Sequence, residues 1–163
     1  MKFSSQEEYG LRCLLRIAKN KSEDGMTIPE ISSAERLSQA NAGKLLRILR
    51  LGGFIESSRG SSGGYRLTRP PEEINVGEVL SVLGGKFFES SFCSDFTGNE
   101  SICTHTIDCS IRSLWRAVQT AVDSILSKTT LADMLGKEEE TASFVYALLE
   151  EEQQSLRNQQ KPA

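Results

Sequence analysis

Three of the four cysteines, Cys93, Cys103 and Cys109, fall within seventeen residues in the run FCSDFTGNESICTHTIDCS, and the single histidine, His105, stands between the last two. Gly98 and the polar residues around it cannot build a core strand or helix. The spacing therefore predicts a loop of nine residues between the first two thiols and a six-residue step to the third. Thiolates are soft ligands, and a poorly packed loop gains order when ligand bonds replace the apolar burial it lacks. The segment reads as a sensor loop that holds a metal or a cluster. Two other readings stay open: a closed four-ligand zinc site made by Cys93, Cys103, Cys109 and His105, and a metal-free switch in which Cys103 and Cys109 form a disulfide. Cys13 stands apart on the apolar side of a helix and is expected to be a small buried hydrophobe.

The elements that position this loop begin with a basic front. Residues 1–70 carry 12 Lys and Arg against 7 Asp and Glu, whereas the remainder carries 7 against 15, so a net charge of −3 conceals a positive half and a negative half. Such asymmetry suits a polyanion-binding domain joined to a solvated back. From Ser5 to Asn20, Leu11, Leu14, Leu15 and Ala18 recur at helical spacing. Thr27 and Glu30 form a capping box for a second helix, expected to bury Ile31, Ala34 and Leu37. Ser38 caps a third, whose inner stripe is Ala42, Leu45, Leu46 and Leu49 and which ends at Gly52-Gly53.

The outer side of that third helix carries Ala40, Asn41, Lys44, Arg47 and Arg50. Short side chains admit the backbone to a major groove, Asn reads an adenine edge, and Lys and Arg neutralise phosphates. Strands over residues 54–58 and 65–68 flank a flexible tip carrying Arg59, a cation suited to a minor groove. Helix, helix, helix and hairpin is the order of a winged helix-turn-helix. The expected fold class is thus mainly α with a small β-hairpin wing and a long dimerisation helix.

Pro70-Pro71 marks a linker, followed by a short helix with Val76, Val79, Leu80 and Leu83. After Cys109 a long helix to about Lys128 repeats Ile111, Leu114, Val118, Ala121 and Ile125 at three- and four-residue steps, widened by Trp115 and Val122, as a coiled-coil seam does. An acidic tail helix with Phe144, Val145, Leu148 and Leu149 follows and is expected to fray beyond Gln153. The expected organisation is a DNA-binding domain over 1–70, a connecting helix and thiol loop over 71–109, a dimerisation helix and turn over 110–135, and an acidic tail over 136–163. Absence of a long apolar run or a signal-peptide pattern predicts a cytoplasmic protein with no membrane partner. One histidine, no nucleophile–base pair and no phosphate-binding loop argue against an enzyme and against a small-molecule substrate.

Taken in order, the helix around Tyr9, the Arg-Gly-x-x-Gly-Gly-Tyr wing at 59–65, Val-Gly-Glu-Val at 76–79, the three loop cysteines and Leu-Ala-Asp at 131–133 give a sequence that resembles the IscR/NsrR/RirA family of bacterial winged-helix iron–sulfur transcription regulators. The resemblance covers about residues 1–135. It implies a homodimer that binds double-stranded operator DNA and holds one [2Fe-2S] or [4Fe-4S] cluster per subunit on Cys93, Cys103 and Cys109, acting as a redox-sensing regulator or repressor. Where IscR-like members place a histidine after the third cysteine, Arg112 stands here. The fourth ligand then falls to Glu8 of the opposite subunit, as NsrR-like relatives use a carboxylate, or to His105. The same resemblance puts base contacts near Ala40, Asn41 and Gly43, phosphate contacts near Lys44 and Arg47, and Arg59 in the minor groove. Ser38 and Gln39, at the start of the same helix, complete the candidate DNA-binding set.

Overall fold

The computed structural model describes residues 4–22, 24–57, 63–86, 88 and 92–159. Its elements are α1 (Ser5–Lys19), α2 (Ile28–Glu35), α3 (Gln39–Leu51), β1 (Ile55–Ser57), β2 (Tyr65–Leu67), α4 (Val76–Gly84), a one-turn α5 (Phe92–Asp95), α6 (Ser110–Leu126) and α7 (Glu138–Gln159). Two short 3-10 turns, Pro71–Glu73 and Ala132–Met134, complete the set. The architecture is the expected one, mainly helical with a single antiparallel hairpin.

Local signals start the helices. Ser4 accepts from the Glu7 amide while the Glu7 carboxylate accepts from Ser4 N at 2.7 Å, and Thr27 and Glu30 make the same reciprocal pair for α2. Ser38 caps α3 and Asn75 caps α4, each accepting from the backbone three residues on. These contacts satisfy N–H groups that a helix cannot satisfy itself.

One core joins α1, α2, α3, the hairpin and α4. Leu14, Ile17, Ile31, Leu45, Leu46, Leu49, Phe54, Val79 and Leu83 are all buried in it, with Cys13 among them as expected. Leu131 belongs to the same cluster, and its amide donates to Ile74 O at 2.8 Å, so the segment after α6 returns to the reading head. The Asn75 side chain reinforces this return by donating to the carbonyls of Leu126 and Ser127 at 3.1 and 2.9 Å. Helices α1 and α4 cross closely: a Cβ on Gly10 would lie 2.4 Å from Leu83, and one on Gly84 would lie 2.4 Å from the Glu7 carboxyl carbon. Gln6 spans the crossing by donating to Leu83 O.

Three expectations are corrected. Ala34 is exposed, and the buried residue beside it is Glu35, at 7% exposure, which accepts from Arg12 at 2.9 Å and Arg16 at 2.7 Å. A carboxylate sinks there because two guanidinium groups from α1 compensate its desolvation. The long helix ends at Leu126, where Ser127 caps it, short of Lys128. Finally, α7 runs helical to Gln159, past the expected fraying point at Gln153.

Burial alone would raise the Glu35 carboxyl, but hydrogen bonds from Arg16 and Arg12 prevail and hold it below the ordinary value of 4.5. The stability this group contributes is thus full above that value and is lost as the pH falls through the depressed one. Urea unfolding across an acid pH series should show Glu35→Gln to be less stable than the parent at neutral pH, with a shallower loss on acidification. An unchanged acid limb would refute the clasp.

Candidate nucleic-acid interface and thiol site

The turn between α2 and α3 is tightly tied. Arg36 ends α2 in the left-handed conformation at φ 54°, Leu37 N donates to Ser32 O at 2.9 Å, and the Ser32 hydroxyl donates back to Leu37 O at 2.6 Å. Burial of Ala42, Leu45, Leu46 and Leu49 then rolls the opposite side of α3 outward. On it, Gln39, Ala40, Lys44 and Arg47 are exposed, while Asn41 and Gly43 are half-buried. Among the described residues no carboxylate pairs with Lys44 or Arg47. Ser38, also exposed, spends its hydroxyl oxygen on the Asn41 amide at 3.2 Å, so its first task is to start the helix. The structure thus presents every proposed α3 contact on one outward side.

Beside α3 the wing pairs Ile55 with Leu67, Glu56 with Arg66 and Ser57 with Tyr65. Met26 adds a further rung as an isolated bridge, its N–H donating to Tyr65 O at 3.0 Å and its carbonyl accepting from Tyr65 N at 2.7 Å. That rung needs glycine at position 64, where a Cβ would lie 2.6 Å from Met26 N. The hairpin tip carrying Arg59 lies outside the described residues.

The thiol loop differs in kind from the reading head. Cys93 sits on α5, Cys103 in the irregular stretch after it, and Cys109 at the cap of α6; all three are half-buried and free. The Cys109 sulfur accepts from the Arg112 amide at 3.3 Å, and the Arg112 guanidinium donates to Thr106 O. Position 112 therefore secures the loop's end through its backbone and its charge. His105 and Glu8 are both exposed. Among the described residues no three His, Cys, Asp or Glu side chains converge in one chain. By type the donors fit an iron–sulfur or zinc group, since three unpaired soft thiols share one segment.

A family model described as "Rrf2: Iron-dependent Transcriptional regulator" matches residues 3–137. The chain belongs to the Rrf2 family. Among curated Rrf2-like relatives, protein rrf2 of Nitratidesulfovibrio vulgaris is 33% identical over 135 residues, covering 83% of this chain and 87% of its own. The HTH-type transcriptional regulator CymR of Bacillus subtilis is 30% identical over 134 residues, covering 82% and 89%. Among solved structures, T. potens IscR superposes with a TM-score of 0.64 at 30% identity, covering 83% of this chain and 86% of that one. The oxidized form of Staphylococcus aureus CymR superposes with a TM-score of 0.62 at 29% identity, covering 84% and 98%. The Bacillus subtilis relative is a transcriptional regulator by name, not an enzyme, and the Rrf2 assignment makes this chain a DNA-binding transcription regulator. No helix among the described residues is long and apolar enough to cross a membrane.

Sequence reasoning missed the Arg12–Glu35–Arg16 clasp between α1 and the α2 end of the reading head. The available signal was the i, i+4 spacing of the two arginines, which puts both on one side of α1.

Two measurements follow from this Rrf2 geometry. A Cβ on Gly43 would meet only Ile28 Cδ1 at 3.8 Å, ordinary contact distance. Gly43→Ala should melt at or above the parent temperature, gaining up to ~1 kcal/mol of helix propensity. Any loss of operator affinity in that variant then reports backbone approach to DNA; a lower melting temperature would show that the glycine serves packing instead. Cys13 is the contrasting thiol: burial, then the Glu35 charge, push it up to about 11 from 9.0. The stability tied to its neutral form is full below 9.0 and lost as pH rises toward that higher value. Iodoacetamide on metal-free folded protein should therefore label Cys93, Cys103 and Cys109 and spare Cys13 until unfolding, as read by peptide mass spectrometry.

Proposed function

We propose that the protein is a homodimer that grips double-stranded operator DNA through α3 and the β1–β2 wing, with an affinity set by an iron–sulfur cluster on Cys93, Cys103 and Cys109. The observation that carries this reading is burial: from Phe92 to Lys128 no residue is buried. Ile111 and Leu114 are each 57% exposed on α6, although their spacing is that of a packed seam. A second copy covering that seam would also supply the two-fold symmetry that a palindromic operator requires.

The thiol loop lacks a core of its own, so gathering its three sulfurs disrupts little packing. Glu8 of the second copy is the favoured fourth ligand, with His105 the alternative. When bound, such a cluster supplies iron and sulfide that oxygen, nitric oxide or iron shortage can attack. The chain's own part is positional. Helix α1 carries Glu8 on one side and, through Arg12 and Arg16, grips the end of α2, so a shift of α1 reaches α3. A coupling of ~1–3 kcal/mol changes DNA affinity roughly 5–150-fold.

A second reading uses the same thiols without a cluster: Cys103 and Cys109 form a disulfide under oxidants. The relative solved in an oxidized form favours it. A zinc site on the three cysteines and His105 is the remaining chemistry for this donor set.

Anaerobic purification followed by a visible spectrum, iron, sulfide and zinc assays, and operator titration decides between them. The cluster reading expects coloured protein containing iron and sulfide, with operator affinity changing roughly 5–150-fold when the group is removed. Colourless, iron-free protein that holds its operator equally well with all three loop thiols changed to serine would end all three thiol-based readings. A zinc-containing protein, or a Cys103–Cys109 disulfide found by mass spectrometry, would replace the cluster with the corresponding alternative.

A further inference from the structure

We propose that the cavity where α1, α4, α6 and α7 meet is a binding site for a small protonated amine carrying an apolar body about one ring in size. The cavity measures about 250 Å³. An apolar cavity of ~150 Å³ already accepts benzene, so one ring with a short chain fits. Its walls are mostly hydrocarbon, from Leu11, Leu80, Ile125, Met134 and Val145.

The polar lining decides the ligand's chemistry. It consists of Glu7, Glu8, Thr129 and Thr141, with no lysine, arginine or histidine. Both threonine hydroxyl protons are already committed: Thr129 Oγ1 donates to Ile125 O and Thr141 Oγ1 donates to Asp133 O, each at 2.9 Å. What these oxygens still offer is lone pairs. Glu7 and Glu8 carry only acceptors when ionised, and Glu8 has no ion pair among the described residues. The lining therefore has acceptors and negative charge but no free side-chain donor. An ammonium, with three donors and no acceptor, complements it, whereas a carboxylate or phosphate finds no partner. The apolar walls supply affinity and the few polar atoms supply orientation, the usual division in small-ligand sites.

Two of the lining residues, Thr141 and Val145, lie beyond the 3–137 segment that defines the family. The site is thus completed by this chain's own α7. A ligand seated there would touch α1 of the reading head and α6 at once.

Glu8 is also offered above as a ligand to the thiol-bound group, so the substitutions are placed at residues which that reading does not use. Full-length protein is titrated calorimetrically with 2-phenylethylamine, with its neutral analogue ethylbenzene and with 3-phenylpropionate. The amine should saturate one site per chain with a Kd at or below about 1 mM, at least about tenfold tighter than either analogue. Val145→Trp should abolish that binding and Thr141→Val should weaken it, while operator binding stays as in the parent. Failure of the amine to saturate, equal binding of the neutral analogue, or undiminished binding by a folded Val145→Trp variant would overturn the proposal. Should that variant fail to fold, the three probes on the natural chain still decide. Neither substitution touches a thiol or α3, so colourless protein would sink the cluster reading without bearing on this cavity, and the reverse holds equally.

Discussion

Helix α6 carries an apolar side whose first turns the described residues of its own chain leave exposed, and much of the architecture follows from that constraint. Among the described residues its ties to the reading head lie in its C-terminal half. At its C-terminal end Asn75 holds the carbonyls of Leu126 and Ser127, and Leu131 enters the core of the reading head. At its N-terminal end stands Cys109, and the first turns expose Ile111, Leu114 and Trp115. On the proposed dimer, a second copy covering the other half would set the angle at which the reading head is carried. Covering two seams like this one is worth more than any surface ion pair in the chain, because apolar area removed from water contributes roughly 25 cal/mol per Å² while an exposed salt bridge contributes ~0–1 kcal/mol.

The reading head itself is organised on α1, which packs against α2, α3, α4 and β2. Its tolerance for movement is small. Gly10 and Gly84 let α1 and α4 approach until a single added carbon would collide with Leu83 or with the Glu7 carboxyl. On the other side the two arginines hold Glu35 at the end of α2, immediately before the tied turn that sets α3. Packed interfaces of this kind do not deform continuously; they hold or they change arrangement. On the proposed mechanism, a displacement of α1 would be passed to α3 as a rigid shift.

How far this was legible in the sequence depends on the range of the forces involved. The inner stripe of α3 was legible residue by residue, since period and burial there are both local. So were the caps at Thr27 and Ser38, which need only a neighbour three positions away. Glu35 was not, because a buried carboxylate is explained by Arg12 and Arg16, more than a turn of chain away on another element; periodicity alone assigned that place to Ala34. The chemistry of the thiol segment was legible from residue type and clustering. Its geometry was not, because a loop without buried residues has no packing to dictate where three sulfurs point. The acidic α7 was foreseen only in part: its apolar side of Phe144, Val145, Leu148 and Leu149 is half-buried as a helix should place it, whereas the polar run beyond Gln153 suggested fraying and the helix continues to Gln159.

A site without a core of its own is also the kind that can report a change. A ligand moves an equilibrium only by its differential affinity for two states, and the shift is largest where the unliganded state has little packing to resist it. Placing the thiols inside the reading head, where Cys13 lies sealed among Leu14, Ile17 and Glu35, would fix their positions and hide them from any reactant. Placing them on an extension unconnected to α6 would expose them but leave α3 indifferent. The segment from α5 to α6 avoids both failures, since its described residues are open to solvent and it ends on the cap of α6, the helix proposed above as the dimer seam. On the thiol-based readings sensitivity and transmission would meet at Cys109, whose sulfur receives the Arg112 amide in the first turn of α6.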